Sequence, residues 1–78
     1  MTPKEFQEFI GQEIMKIRIA SGKSRYAVFM DTNIQIGRIE KGKIGISPET
    51  YLRICEYFDI PLDFIYIEAE SIREKKKF

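Results

Sequence analysis

Residues 22–43, GKSRYAVFMDTNIQIGRIEKGK, decide which fold we expect for this chain. The polar cluster at residues 31–33 divides two short apolar segments, and its residue types favour a turn. Ahead of the cluster, Ser24 is well suited to cap a helix because its hydroxyl can accept a hydrogen bond from an unpaired backbone amide. The sequence therefore predicts a short helix from Ser24 through Met30.

A further helix is expected directly after this turn. Thr32 is placed to cap a helix over residues 33–41, with Ile36 and Ile39 facing inward and Gly42 ending it. Asn33, Ile34, Gln35, Gly37 and Arg38 would then lie on the outward side of that helix.

The flanking segments also predict helices. Thr2-Pro3-Lys4-Glu5 has the residue types of a capping box, and the apolar residues that follow recur at steps of three and four, so a first helix is expected over residues 3–21. Ser47-Pro48-Glu49 repeats this start signal for a fourth helix, and Pro61 either breaks that helix or starts the next. Residues 62–67 fit either a β-rich run or a buried helical turn, of which we expect the helix. The expected fold class is all-α, a compact bundle of about five helices.

Composition excludes several classes of protein. The chain has 78 residues, no histidine and a single cysteine, Cys55, so an internal disulfide, a zinc site and a histidine general base are not expected. It contains neither an apolar run long enough to span a membrane nor an N-terminal signal sequence. We expect a cytoplasmic protein that is not an enzyme and that has no cofactor, small-molecule ligand or membrane partner.

The charged residues are unevenly distributed along the chain, although the formal net charge is only +1. Residues 16–43 carry seven Lys and Arg against two acidic residues, whereas residues 44–72 carry one cation against six acidic residues. The basic segment is where an anionic partner would be attracted. We expect a single domain over residues 1–72, followed by a basic tail at residues 73–78.

The sequence resembles the Cro and phage-repressor (XRE-like) helix-turn-helix family. The resemblance rests on IMKIR at residues 14–18, GKS at 22–24 and IGRIEKGK at 36–43, and it extends over residues 11–65. It implies a helix-turn-helix within a lambda-repressor-like DNA-binding domain and a transcriptional regulator of bacterial or phage type. Between Ser24 and Glu40 the chain is about three residues shorter than the family pattern, and we expect this shortening in the second helix or the following turn. Asp31 or Asn33 would tolerate a left-handed conformation there better than Met30.

The resemblance also suggests which residues would contact double-stranded DNA. Asn and Gln can pair with adenine, Arg with guanine, and Ile can pack on a thymine methyl group. The predicted base-reading residues are Asn33, Ile34, Gln35 and Arg38. The alternative for these residues is an ordinary solvated helix face.

Phosphate contacts are expected from cations and helix N-termini around the third helix. These residues are Lys23, Ser24, Arg25, Thr32, Lys41 and Lys43. Arg18 and Glu40 match a family pair that bridges the first helix to the end of the third, so we expect a structural ion pair between them.

Two functions follow from this interpretation. The first is sequence-specific DNA binding by a homodimer that reads the major groove with residues 33–41. Its dimer surface would be formed by residues 64–67 with Tyr57 and Phe58, or by the start of the first helix. The alternative is a protein-interaction module of the same fold, of antitoxin or anti-repressor type, with weak or no DNA binding.

Overall fold

The computed structural model of the chain describes residues 2–66 and residue 70. Four helices lie in this part of the chain: α1 (Pro3–Ser21), α2 (Arg25–Thr32), α3 (Ile36–Glu40) and α4 (Pro48–Phe58). A fifth helical segment begins at Phe64, and the described residues contain no strand, which confirms the predicted all-α bundle of about five helices. The predicted tail at residues 73–78 and the predicted domain boundary at residue 72 lie outside the described residues.

Helix α1 has the predicted bounds because both of its ends are fixed locally. The Thr2 hydroxyl accepts a hydrogen bond from the Glu5 amide, and the Glu5 carboxylate accepts one from the Thr2 amide, each over 3.1 Å. These two bonds form the capping box. At the other end Gly22 adopts a left-handed conformation with φ of 77°, and its amide donates to the Ile19 carbonyl. None of the helices in residues 2–66 is long and apolar enough to cross a membrane.

Helix α2 begins as predicted but ends later. The Ser24 hydroxyl accepts a hydrogen bond from the Ala27 amide over 3.0 Å, which confirms the cap. The helix continues to Thr32, two residues past the predicted end at Met30. Asn33 then adopts the left-handed conformation with φ of 62°, and its amide donates to the Phe29 carbonyl. This confirms that Asn33, not Met30, provides the left-handed turn residue.

The predicted N-cap of the third helix is wrong. Thr32 lies in the last turn of α2, where its hydroxyl donates to the Val28 carbonyl over 2.7 Å and accepts from the Ile34 amide over 3.1 Å. A threonine hydroxyl can bond back to the carbonyl four residues earlier, and here it extends α2 rather than starting α3.

The predicted third helix over residues 33–41 is also too long. It is observed only at Ile36–Glu40, after a turn at residues 33–35, and Gln35 provides no side-chain cap. Helix α2 has eight residues with both ends capped, whereas α3 has five. The expected shortening relative to the family pattern, in the second helix or the following turn, stays a prediction.

The core is built from residues of every helix and of the turn before α3. Its fully buried side chains include Ile14 of α1, Val28 of α2, Ile36 of α3 and Ile54 of α4. Ile36 and Ile39 face inward as predicted, and Cys55 is buried. Ile65 of the fifth helical segment is buried in the same cluster, so this segment closes the bundle.

A close approach of α1 to α3 sets the position of α3 in the bundle. Gly11 is buried at the crossing, where a Cβ atom would overlap the Ile39 carbonyl oxygen and lie 3.0 Å from the Glu40 carbonyl oxygen. Because these atoms belong to the backbone of α3, the neighbour cannot move aside as a flexible side chain would. The absence of a side chain at residue 11 therefore determines how near α3 lies to α1.

Candidate nucleic-acid interface

A buried carboxylate joins α1, α2 and α3 beneath the outward side of α3. The Glu40 side chain is fully buried and accepts from Arg18 Nε over 2.6 Å and from Arg18 Nη2 over 3.1 Å. This bidentate geometry confirms the predicted ion pair between Arg18 and Glu40. Arg18 Nη1 also donates to the Lys23 carbonyl over 3.0 Å, so the same side chain fixes the connection between α1 and α2.

Glu40 has a second cationic partner that the sequence did not reveal. Arg25 Nε lies 3.0 Å from Glu40 Oε1, and the Arg25 side chain remains about half exposed. Its aliphatic part passes over Gly37, where a Cβ atom would lie 3.4 Å from Arg25 Cδ. A methyl group at residue 37 would therefore meet Arg25 at an ordinary contact distance. One edge of the Arg25 guanidinium is held by Glu40, and the residue stays at the surface beside α3.

The predicted base-reading residues are not all on one outward helix face. Ile34 is only 5% exposed and belongs to the core, so the prediction that it faces outward is wrong. It follows the left-handed Asn33 in the turn, which directs it inward, and burial of an isoleucine side chain is worth about 1.5–3 kcal/mol. Asn33 and Gln35 are exposed at the N-terminal side of α3, and Arg38 is exposed on α3 itself.

Asn33 and Gln35 share a shallow depression with the start of α4. Thr50 and Arg53 of α4 complete its rim. Arg53 also donates a hydrogen bond to the Thr32 carbonyl, which ties α4 to the end of α2. Sequence reasoning missed Arg53 at the site. The one feature of the sequence that could have indicated Arg53 is that it is the only Lys or Arg in residues 44–72.

The predicted phosphate contacts differ in their surroundings. Lys41 and Lys43 are exposed in the turn that follows α3, and Ser24 is exposed at the start of α2. Lys23 is exposed as well, with Nζ 6.0 Å from the centre of the Tyr57 ring. Thr32 does not begin a helix, so its predicted contribution through the N-terminus of α3 is wrong.

An open groove lies between the turn after α3 and the first two turns of α1. Arg38, Lys41 and Lys43 line one side, and Lys4 and Glu8 line the other. Sequence reasoning did not place Lys4 near the site, because Lys4 belongs to an acidic N-terminal segment and is separated from Arg38 by 34 positions. Only the packing of α1 against α3 brings these residues together.

Tyr57 joins α2 to α4 on the other side of the unit. Its hydroxyl donates to the Asp31 carboxylate over 2.5 Å. This hydrogen bond to the carboxylate raises the pKa of Tyr57 above its ordinary value. Among the described residues no group of His, Cys, Asp and Glu side chains is arranged to hold a metal ion.

The arrangement of α2, the turn at residues 33–35 and α3, backed by α1 and α4, defines a helix-turn-helix domain. A helix-turn-helix family profile matches residues 14–65, which is well over half of the chain. The protein therefore belongs to the helix-turn-helix family, which confirms the resemblance seen in the sequence.

A solved structure has the same fold. The chain is similar to the BldD DNA-binding domain of S. venezulae, with a TM-score of 0.70 at 17% sequence identity over 78% of this chain and 96% of that chain. At this identity the likeness concerns the fold. No curated protein is significantly similar to the chain in sequence.

Proposed function

We propose that the protein binds double-stranded DNA sequence-specifically and acts as a cytoplasmic transcriptional regulator of bacterial or phage type. The observation that carries the proposal is the exposure of Arg38, Lys41 and Lys43 along and after α3, within a helix-turn-helix unit. The printed title of the similar structure describes a DNA-binding domain, which supports the same function here.

In this proposal the bases are read by Arg38, Gln35 and Asn33. Arg38 is exposed on α3, and its side chain has no hydrogen-bond or ion-pair partner within the described residues. An arginine of this kind suits bidentate recognition of guanine in the major groove, and the two amides suit adenine. Because α3 has only five residues, the turn before it has to supply part of the reading surface.

Phosphate contacts position the module without reading sequence. We assign them to Lys41 and Lys43 after α3 and to Lys23, Ser24 and Arg25 at the start of α2. Arg25 is suited to this role because Glu40 holds its Nε edge while half of the side chain stays exposed. A phosphate that approaches the start of α2 would also meet the unpaired amides of its first turn.

We further propose a homodimer. A single module of this kind buries about 600–1,000 Å² on DNA, and dimers that bind two half-sites gain specificity. The candidate surfaces are residues 64–67 with Tyr57 and Phe58, or the start of α1 with Phe6 and Phe9. Residue 67 lies outside the described residues, while Phe64 and Tyr66 are 38% and 51% exposed. Sedimentation of the protein with and without its duplex measures the stoichiometry.

Selection of bound sequences from a random duplex pool tests this function. The proposal predicts recovery of a defined motif, and a palindrome with half-sites about one helical turn apart would also report the dimer. Enrichment of no motif despite binding would contradict sequence-specific recognition. Absence of binding to mixed duplex DNA at low salt would contradict DNA binding altogether.

The second candidate function is a protein-interaction module of antitoxin or anti-repressor type. It is favoured by the outer face of α2, where Tyr26 and Met30 are 72% and 62% exposed and Phe29 is 38% exposed. Large apolar side chains grouped on a surface are typical of protein contacts. The two functions differ in salt dependence, because only phosphate contacts make the affinity for mixed duplex DNA fall steeply as salt rises.

A further inference from the structure

The first part of α1 extends the domain beyond the family profile. The profile begins at residue 14, whereas α1 begins at Pro3, so residues 3–13 of the helix lie before the matched region. These residues do not project away from the domain. They pack along the C-terminal end of α3 and the turn after it, which are the elements that carry Arg38, Lys41 and Lys43.

Two contacts fix the extension against this turn. Gln7 Nε2 donates to the Gly42 carbonyl over 2.8 Å. Gly42 adopts a left-handed conformation with φ of 70°, and a Cβ atom there would lie 2.9 Å from Glu8 Cγ. The turn at residues 41–43 therefore rests directly on α1, with no room for a side chain between them. Lys4 lies one helical turn before Glu8 and lines the same groove.

The groove between these elements is strongly basic. Lys4 on one side faces Arg38, Lys41 and Lys43 on the other, and Glu8 is the acidic residue on its wall. All five side chains belong to exposed residues. Four cations against one carboxylate, open to solvent, form a surface that attracts a polyanion.

We propose that Lys4 contacts a DNA phosphate, so that the extension of α1 forms part of the DNA-binding surface. This inference rests on the proposed DNA binding. It adds to the DNA-binding surface the start of α1, which lies before the residues that the family profile matches. A phosphate backbone suits the groove because its charges recur along the strand, and they can meet the cations on both walls. A lysine binds such a phosphate as a point charge and needs no precise geometry. Glu8 opposes the interaction through its like charge.

The test compares the salt dependence of binding to a duplex of mixed sequence for the wild type and three variants. Phosphate contacts do not depend on sequence, so no operator is needed for this measurement. The slope of log K against log salt is negative, and in Lys4→Gln we expect its magnitude to fall by about 0.9, the value for loss of one phosphate contact. Lys16→Gln is the matched control, because Lys16 is exposed on the same helix, pairs with Glu13 and does not line the groove.

Glu8→Gln provides a test of opposite sign. Removal of this carboxylate should tighten binding at fixed salt, whereas Lys4→Gln weakens it. Thermal melts of the variants check that each remains folded, and Lys4 is exposed in the first turn, where its replacement leaves the core intact.

The outcomes separate this inference from the proposed function. Wild-type binding with a reduced slope in Lys4→Gln alone supports the role of Lys4. Wild-type binding with an unchanged slope in Lys4→Gln, or with equal reductions in Lys4→Gln and Lys16→Gln, would overturn that role and leave DNA binding intact. Failure of the wild type to bind at low salt would overturn both.

Discussion

Helices α2 and α3 are joined by three residues, yet they are held in place by different interactions. The ends of α2 are fixed by neighbouring residues, the Ser24 hydroxyl at its start and the left-handed Asn33 at its end. Helix α3 has five residues and no side-chain cap, and a helix this short is not stable by itself. It is fixed by α1, through the Gly11 crossing and the ion pair between Arg18 and Glu40. The position of α3, the helix proposed to read bases, is therefore determined by its contacts with α1 rather than by its own residues.

The largest effect is expected from loss of the Glu40 carboxylate. Glu40→Gln removes the charge that two arginines share, and Arg18 is left largely buried without a counter-charge. Removal of one partner from a buried pair costs about 3–5 kcal/mol. Urea unfolding measures the change in the free energy of unfolding. Glu13→Gln is the control, because its partner Lys16 is 69% exposed and such surface pairs are worth about 1 kcal/mol or less. Equal losses for both variants would show that Glu40 does not anchor α3.

A slightly smaller effect is expected at the crossing of α1 and α3. Gly11→Ala places a methyl group against the backbone of Ile39 and Glu40, and overpacking of this kind costs about 1–3 kcal/mol. Gly37→Ala is the matched control on α3. There the new methyl group meets only Arg25, at an ordinary contact distance, and alanine favours the helix by about 1 kcal/mol over glycine. If Gly11→Ala were as stable as the wild type, close approach to α1 would not be what positions α3.

A local effect of about 1 kcal/mol is expected at the start of α2. Ser24→Ala removes the hydroxyl that accepts from the Ala27 amide, and loss of an N-cap typically costs this amount. Ser24→Asp should retain most of the stability because aspartate also caps helices. Thermal unfolding of the two variants measures the difference. A loss in Ser24→Asp as large as in Ser24→Ala would mean that the cap is not what stabilises α2.

The smallest effect is expected at Tyr57, where it is present at neutral pH and lost in the alkaline range. The hydrogen bond to Asp31 raises the pKa of Tyr57 in the folded state above its ordinary value of 10.0. Its contribution to stability is therefore fully present below pH 10 and is lost as the pH rises through the folded-state pKa. Tyr57→Phe should be slightly less stable than the wild type at neutral pH, with the difference shrinking above pH 10. A difference independent of pH in that range would contradict this role of the hydrogen bond.

The sequence predicted the elements whose signals are local. The capping box of α1, the Ser24 and Ser47 caps and the glycine after α1 all lie within a few residues of the helix ends that they fix. The start of α3 was mispredicted because Thr32 can either cap a following helix or bond back into the preceding one. In the structure the Thr32 hydroxyl donates to the Val28 carbonyl and so extends α2. Residue types alone do not predict which of the two interactions forms.

The candidate site was predictable only in part for a related reason. Arg38, Lys41 and Lys43 were predicted correctly as exposed, and the pair of Arg18 with Glu40 was found through the family resemblance. Ile34 was misplaced because the register of α3 depends on where α2 ends. The contributions of Lys4 and Arg53 depend on contacts between residues far apart in sequence, which no local pattern encodes.

The most direct test of the account is the affinity of Arg38→Ala for two duplexes, the motif recovered by selection and a scrambled sequence of equal length. Arg38 is proposed to read a base from a helix that α1 holds in place. Its loss should cost about 1–3 kcal/mol on the selected duplex and clearly less on the scrambled one. Lys41→Ala, as the control, should weaken both duplexes alike. An equal loss on both duplexes for Arg38→Ala would contradict base reading by α3.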